Sequence, residues 1–193
     1  MRLLEERILK DGKVYPGNVL KVDSFINHQI DVVLLREIAK EFHKLFKNEG
    51  ITKILTIEAS GISIASFTAE EFGVPVLFAK KTKTKNISPN VYSSRVESFT
   101  HGDVNDVVVS KEFISEDDKI LIIDDFLAQG NALKGLIELV ELAGAKVVGA
   151  GIVIEKAFQP GGEEIRKSGV RVESLARIKR MTDDGEICFC DQL

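Results

Sequence analysis

The stretch from Lys119 to Ala132 (KILIIDDFLAQGNA) constrains the fold of this chain more than any other. Ile120, Leu121, Ile122 and Ile123 form an unbroken apolar run, the mark of a strand buried on both faces at the centre of a parallel sheet. The run stops at two adjacent acids, Asp124 and Asp125. A short loop around Gly130 follows, and apolar spacing then predicts a helix over 132–142 that Gly144 ends. The same alternation recurs along the chain. Helices are predicted over 3–11, 32–48 and 61–72, and strands over 53–58, 75–79, 104–110, 146–155, 170–177 and 186–189. Strand–helix–strand repetition of this kind predicts an α/β fold with a mainly parallel sheet flanked by helices. Residues 80–100 break the pattern. They open on Lys80-Lys-Thr-Lys-Thr-Lys and continue polar and aperiodic, so they read as a long surface loop over an active site or a plain solvated charge run.

At 193 residues the chain fits one domain. Its formal net charge of -4 argues against broad nucleic-acid binding, which needs a basic surface. Charged residues interrupt the first 13 positions, so no signal peptide is expected there. The longest apolar runs fall far short of the ~20 residues that cross a bilayer, and a cytoplasmic location is expected, with no membrane partner. Cys188 and Cys190 read as ordinary reduced thiols. His28, His43 and His101 do not cluster with them, and no dedicated metal site is expected.

In parallel α/β sheets ligands bind at the carboxyl ends of the strands. This directs attention to 58–61, 124–132 and 155–158. A glycine loop opening a helix offers backbone N–H groups to an anion. Two carboxylates beside such a cradle would repel a bare phosphate. A ligand carrying both hydroxyls and a phosphate, such as a ribose 5-phosphate, satisfies both. Glu58-Ala-Ser-Gly61 at an earlier strand end is, read alone, a simple strand-to-helix turn.

The 120–132 segment resembles the phosphoribosyl pyrophosphate (PRPP) motif of the type I phosphoribosyltransferases: four apolar residues, two acids, two apolar residues and a small loop around glycine. The resemblance implies Asp124 and Asp125 as catalytic acids contacting the ribose. It implies 5-phosphate binding by Ala128, Gln129, Gly130, Asn131 and Ala132. The turn of Ala59, Ser60 and Gly61 would bind pyrophosphate, helped by Lys80 and Lys81 from a mobile hood, with Tyr92 and Ser93 as further candidates. Gln129 and Ala132 stand where many members carry hydroxyls. Ala128 replaces an aspartate that some purine enzymes use near N7, so this loop offers no general base. The blocks 20–31, 58–61, 124–127, 154–160 and 173–177 are similar to the bacterial xanthine-using branch of the family. That similarity implies xanthine contacts from Leu20, Asn27, Lys156 and Phe158, with PRPP entering alongside Mg2+ and a homodimeric assembly. A small base-binding hood is expected from about 1–35 and the C-terminal strands, around a core of about 36–160. Two rival readings are a PRPP-sensing regulator on the same fold and a transferase for hypoxanthine, guanine or adenine.

Overall fold

The computed structural model describes residues 1–82, 89–97 and 104–190. In chain order the elements are α1 (Arg2–Asp11), β1 (Lys13–Tyr15), β2 (Val19–Lys21), a π-helical turn (Asp23–Asn27), α2 (Val32–Phe46), β3 (Lys53–Ile57), α3 (Gly61–Phe72), β4 (Val76–Thr82), β5 (Val91–Glu97), β6 (Val104–Ser110), a 3-10 turn (Lys111–Phe113), β7 (Lys119–Leu127), α4 (Asn131–Leu142), β8 (Lys146–Lys156), α5 (Gly161–Lys167), β9 (Val172–Met181) and β10 (Ile187–Phe189). Eight strands form one sheet in the order β10-β9-β8-β7-β3-β4-β6-β5. The five from β9 to β4 run parallel, and β10, β6 and β5 join antiparallel. β1 and β2 form a separate hairpin.

The period-2 alternation of a strand divides the centre of the sheet between two cores. Leu121 and Ile123 of β7 join Ile54 and the apolar faces of α2 and α3. Ile120 and Ile122 join Leu55, Ile57 and the inner face of α4. Asp31 caps α2, its carboxylate accepting from the Val33 and Leu34 amides at 3.1 Å each, a common way to satisfy the open N–H groups of a first turn. No helix among the described residues is long and apolar enough to cross a membrane.

The surface-loop reading of 80–100 is corrected in part. β4 continues to Thr82, and Val91–Glu97 is a strand paired along its whole length with β6. Its polar composition hid it, yet Ser94 is buried and its hydroxyl donates to the Glu138 carboxylate of α4 at 2.5 Å. Residues 83–88 and 98–100 of that stretch lie outside the described residues.

Candidate active site

β7 and β3 end side by side, and the turns that follow them wall a cleft of about 280 Å3. Its lining includes Ser60, Lys81, Asp124, Asp125 and the whole of Ala128–Ala132. The acids expected to face sugar and the loop expected to face phosphate therefore share one cavity. Gly130 adopts φ +82° at the start of α4, a conformation that favours glycine. It turns the chain so that the first amides of α4 open on the cleft, where no intrahelical acceptor exists for them.

Asp124 is 4% exposed, and its Oδ1 accepts the Asp125 amide at 3.0 Å. Burial, reinforced by the charge and hydrogen bond of Asp125, pushes its carboxyl well above the ordinary range; the Asp125 amide and the Lys81 ammonium oppose this without reversing it. An acid so placed gains from any ligand that brings hydroxyl donors or positive charge.

Ala59 and Ser60 form the turn between β3 and α3, with a cis Glu58–Ala59 peptide bond. Gly61 opens α3 and is buried. Glu58, which carried no role in the sequence reading, accepts the Lys81 amide at 2.7 Å and so ties this turn to β4. Lys81 reaches the cleft. The structure does not bring Lys80 there: neighbouring residues on a strand point to opposite faces, and the Lys80 ammonium lies over the Phe78 ring, 5.9 Å from its centroid, on the other side of the sheet. Tyr92 packs with the α4-side core, and neither it nor Ser93 lines the cleft.

A second group of residues meets at the end of β8. The Lys156 ammonium donates to the Asn18 carbonyl of the β1–β2 hairpin at 2.8 Å and stands 5.7 Å from the centroid of Phe126, a cleft residue. Burial pushes the ammonium below its ordinary value. An ion pair with the adjacent Glu155 would be the simplest use of this lysine. Glu155 turns to the opposite face instead and binds Arg166 through two hydrogen bonds of 2.8 and 2.7 Å and Arg177 through one of 3.1 Å. Phe158 is 38% exposed just beyond β8, Leu20 is buried in β2, and Asn27 is exposed at the end of the π-helical turn.

Sequence reasoning missed the segment that joins the two groups. After Phe158 the chain turns back, and Gly161 donates its amide to the Ala128 carbonyl at 3.1 Å. A Cβ on Gly161 would lie 2.5 Å from Ala128 O, Gln129 C and Gly130 N, so the backbones touch with no room for a side chain. Gln129 also donates to the Gln159 side-chain carbonyl at 3.4 Å. The adjacent glycines at 161 and 162 were the available signal, since paired glycines mark close backbone approach more readily than a helix start.

Residues 21–180 match the family model described as the phosphoribosyl transferase domain. The chain is 58% identical over 190 residues to a protein of Lachnoclostridium phytofermentans named "Xanthine phosphoribosyltransferase", covering 98% of both chains. It is 55% identical over 192 residues to a Bacillus cereus protein of the same name, covering 100% of this chain and 97% of that one. Among solved structures, an adenine phosphoribosyltransferase from Rhodothermus marinus shares the fold with a TM-score of 0.75 at 21% identity, over 92% of this chain and 99% of that one.

Proposed function

Because this chain belongs to the phosphoribosyltransferase family, we propose that it transfers the 5-phosphoribosyl group of PRPP to N9 of xanthine, giving xanthosine 5′-monophosphate and pyrophosphate in purine salvage. The choice of base rests chiefly on Lys156, a cation that Glu155 leaves free and that stands at the edge of the cleft over Phe126. Xanthine presents two carbonyl oxygens and ionises readily, so a pocket for it should offer donors and positive charge. Adenine would instead ask for an acceptor opposite its amino group. The names of the 55–58% identical relatives support the same choice.

Asp124 and Asp125 accept hydrogen bonds from the 2′- and 3′-hydroxyls. Ala128–Ala132 hold the 5-phosphate, largely through backbone amides and Asn131. Ala59, Ser60, Gly61 and Lys81 hold the pyrophosphate. Asn27 and Lys156 read the polar edge of the base, with Leu20 and Phe158 against its faces. Mg2+ would enter as part of the PRPP substrate, whose own oxygens suit a hard cation; among the described residues no three His, Cys, Asp or Glu side chains gather to hold a metal by themselves, and Asp124 and Asp125 line the same cleft. The bond from C1′ to the pyrophosphate oxygen breaks largely before N9 bonds, so positive charge builds on the ribose. The chain lowers this barrier by positioning and by fixed charge around the leaving group. With Ala128 in the loop, no side chain there takes a proton, and an anionic xanthine needs none removed. A homodimer is the expected assembly.

Pyrophosphate release should be measured with Mg2+, PRPP and each of xanthine, guanine, hypoxanthine and adenine. Xanthine should give the highest kcat/KM. A higher value with another base would overturn the assignment of xanthine, and no release with any base would overturn the enzyme.

A further inference from the structure

Thr56 occupies the fourth position of β3, one strand away from Asp124. It is fully buried, and among the described residues its hydroxyl oxygen has no hydrogen-bond partner. Leaving a buried hydroxyl unpaired costs about 1–3 kcal/mol, and a valine would fill nearly the same space without that cost. A threonine kept here calls for a state in which the hydroxyl is used.

Its surroundings indicate which state. A Cβ built on Gly61 would overlap the Thr56 hydroxyl and lie 3.4 Å from Asp124 Oδ1. The Thr56 hydroxyl thus occupies the space that residue 61 leaves by having no side chain, and the Asp124 carboxylate borders that space. Among the described residues Asp124 has few donors: the Asp125 amide reaches Oδ1, while the Asp125 carboxylate beside it is repulsive. An ionised carboxylate offers about four acceptor positions. Every one left empty in a buried site raises the cost of the charge. The Thr56 hydroxyl is a neutral donor on a fully buried residue that does not line the cleft, so it does not compete with a ligand.

We propose that Thr56 is a positioning residue for the reaction: when Asp124 engages the ribose hydroxyls as a carboxylate, the Thr56 hydroxyl turns to donate to it from behind, fixing its orientation. No covalent step is involved, only a turn of the hydroxyl beside Gly61, whose lack of a side chain leaves it room. The inference rests on the reading of Asp124 as a ribose contact.

Steady-state kinetics of Thr56→Val and Thr56→Ser test it, with thermal melting of each. A hydrogen bond to a charged group contributes about 1.5–3 kcal/mol, so kcat/KM for PRPP should fall at least about tenfold in Thr56→Val. The KM for xanthine should stay within about twofold of wild type, because a hydroxyl behind the ribose acid does not reach the base. Thr56→Ser should recover most of the loss, and Thr56→Val should melt no lower than wild type, since it removes an unpaired buried hydroxyl. Unchanged PRPP kinetics in Thr56→Val would overturn the proposal. So would a loss that serine does not restore, or one shared equally by xanthine. If the valine variant does not fold, Thr56→Ala serves as the second variant without a hydroxyl; failure of both to fold beside a folded Thr56→Ser would show a purely structural role and overturn the proposal. A wild-type protein inactive with every base defeats the assigned function instead, a result distinct from all of these.

Discussion

Replacing Gly161 with alanine should damage PRPP use far more than it damages the fold. The new methyl would begin 2.5 Å from three backbone atoms of the Ala128–Gly130 loop. Relaxed carbon contacts lie at about 3.5–4.0 Å, so one backbone must retreat by about 1 Å. Gly161 is anchored by α5, whose Ile165 is buried in the core, whereas the loop borders the cleft. The loop is therefore the part that moves. A displacement of 1 Å in a group that positions substrate can cost about a hundredfold, or about 2.7 kcal/mol of transition-state stabilisation. The assay is kcat/KM for PRPP at saturating xanthine, paired with thermal melting. Gly162→Ala is the contrast. Its methyl would run into Glu155 and Arg166, away from the Ala128–Gly130 loop. Crowding there should cost about 2 kcal/mol, a fall in Tm of roughly 6 °C for a chain of this length, with KM for PRPP nearly unchanged. If Gly161→Ala keeps kcat/KM for PRPP within about threefold of wild type, the contact between α5 and the loop does not set the phosphate site.

Lys156→Ala should lower kcat/KM by about tenfold or more for xanthine, the scale of one charge-assisted hydrogen bond, and by less for guanine; equal losses would remove Lys156 as the selective contact. Asp124→Asn should abolish most PRPP turnover yet raise the melting temperature of the free protein at neutral pH. The buried acid's raised pKa means that its favourable contribution exists below its ordinary value of 3.8 and is lost as pH rises through the folded value; a melting temperature below wild type would contradict this. Glu155 behaves in the opposite sense. Burial opposes its charge most strongly, but the hydrogen bond from Arg166 and the charges of Arg166 and Arg177 help to hold its carboxyl below the ordinary 4.5. Its contribution is then present above that value and lost as pH falls through the lower folded one, so wild type should lose its stability advantage over Glu155→Gln as melting is followed from neutral pH down to ~3.

The centre of the sheet was legible because burial on both faces leaves no choice of residue type. Ile120–Ile123 could be little else, and the helix over 132–142 followed from its apolar spacing and the closing Gly144. The cleft followed too, since parallel strands bring their carboxyl ends together whatever the loops do. What stayed hidden depended on tertiary contacts. The three-residue strands β1 and β2 carry no usable periodicity, and the hairpin is tied down by Lys156, 138 residues further on. α5 begins with two glycines, poor helix formers, because the Ala128–Gly130 loop presses against Gly161 and the Glu155–Arg166 pair against Gly162. Lys80 and Lys81 are alike in composition, and only the register of β4 shows that one faces the cleft and the other does not.

The short span between Lys156 and Gly161 has a geometric consequence. It is pinned by the Ala157 amide on Ile178 O at 2.8 Å and by the Gly161 amide on Ala128 O at 3.1 Å, with a turn closed by the Gln159 amide on Lys156 O at 2.9 Å. On the assignment proposed above, one end touches the base and the other backs the 5-phosphate. On that assignment the span acts as a calliper, fixing how far the base contact stands from the phosphate contact. One residue inserted at 157–160 would reset the gauge, changing which product length fits without altering any group that touches the product.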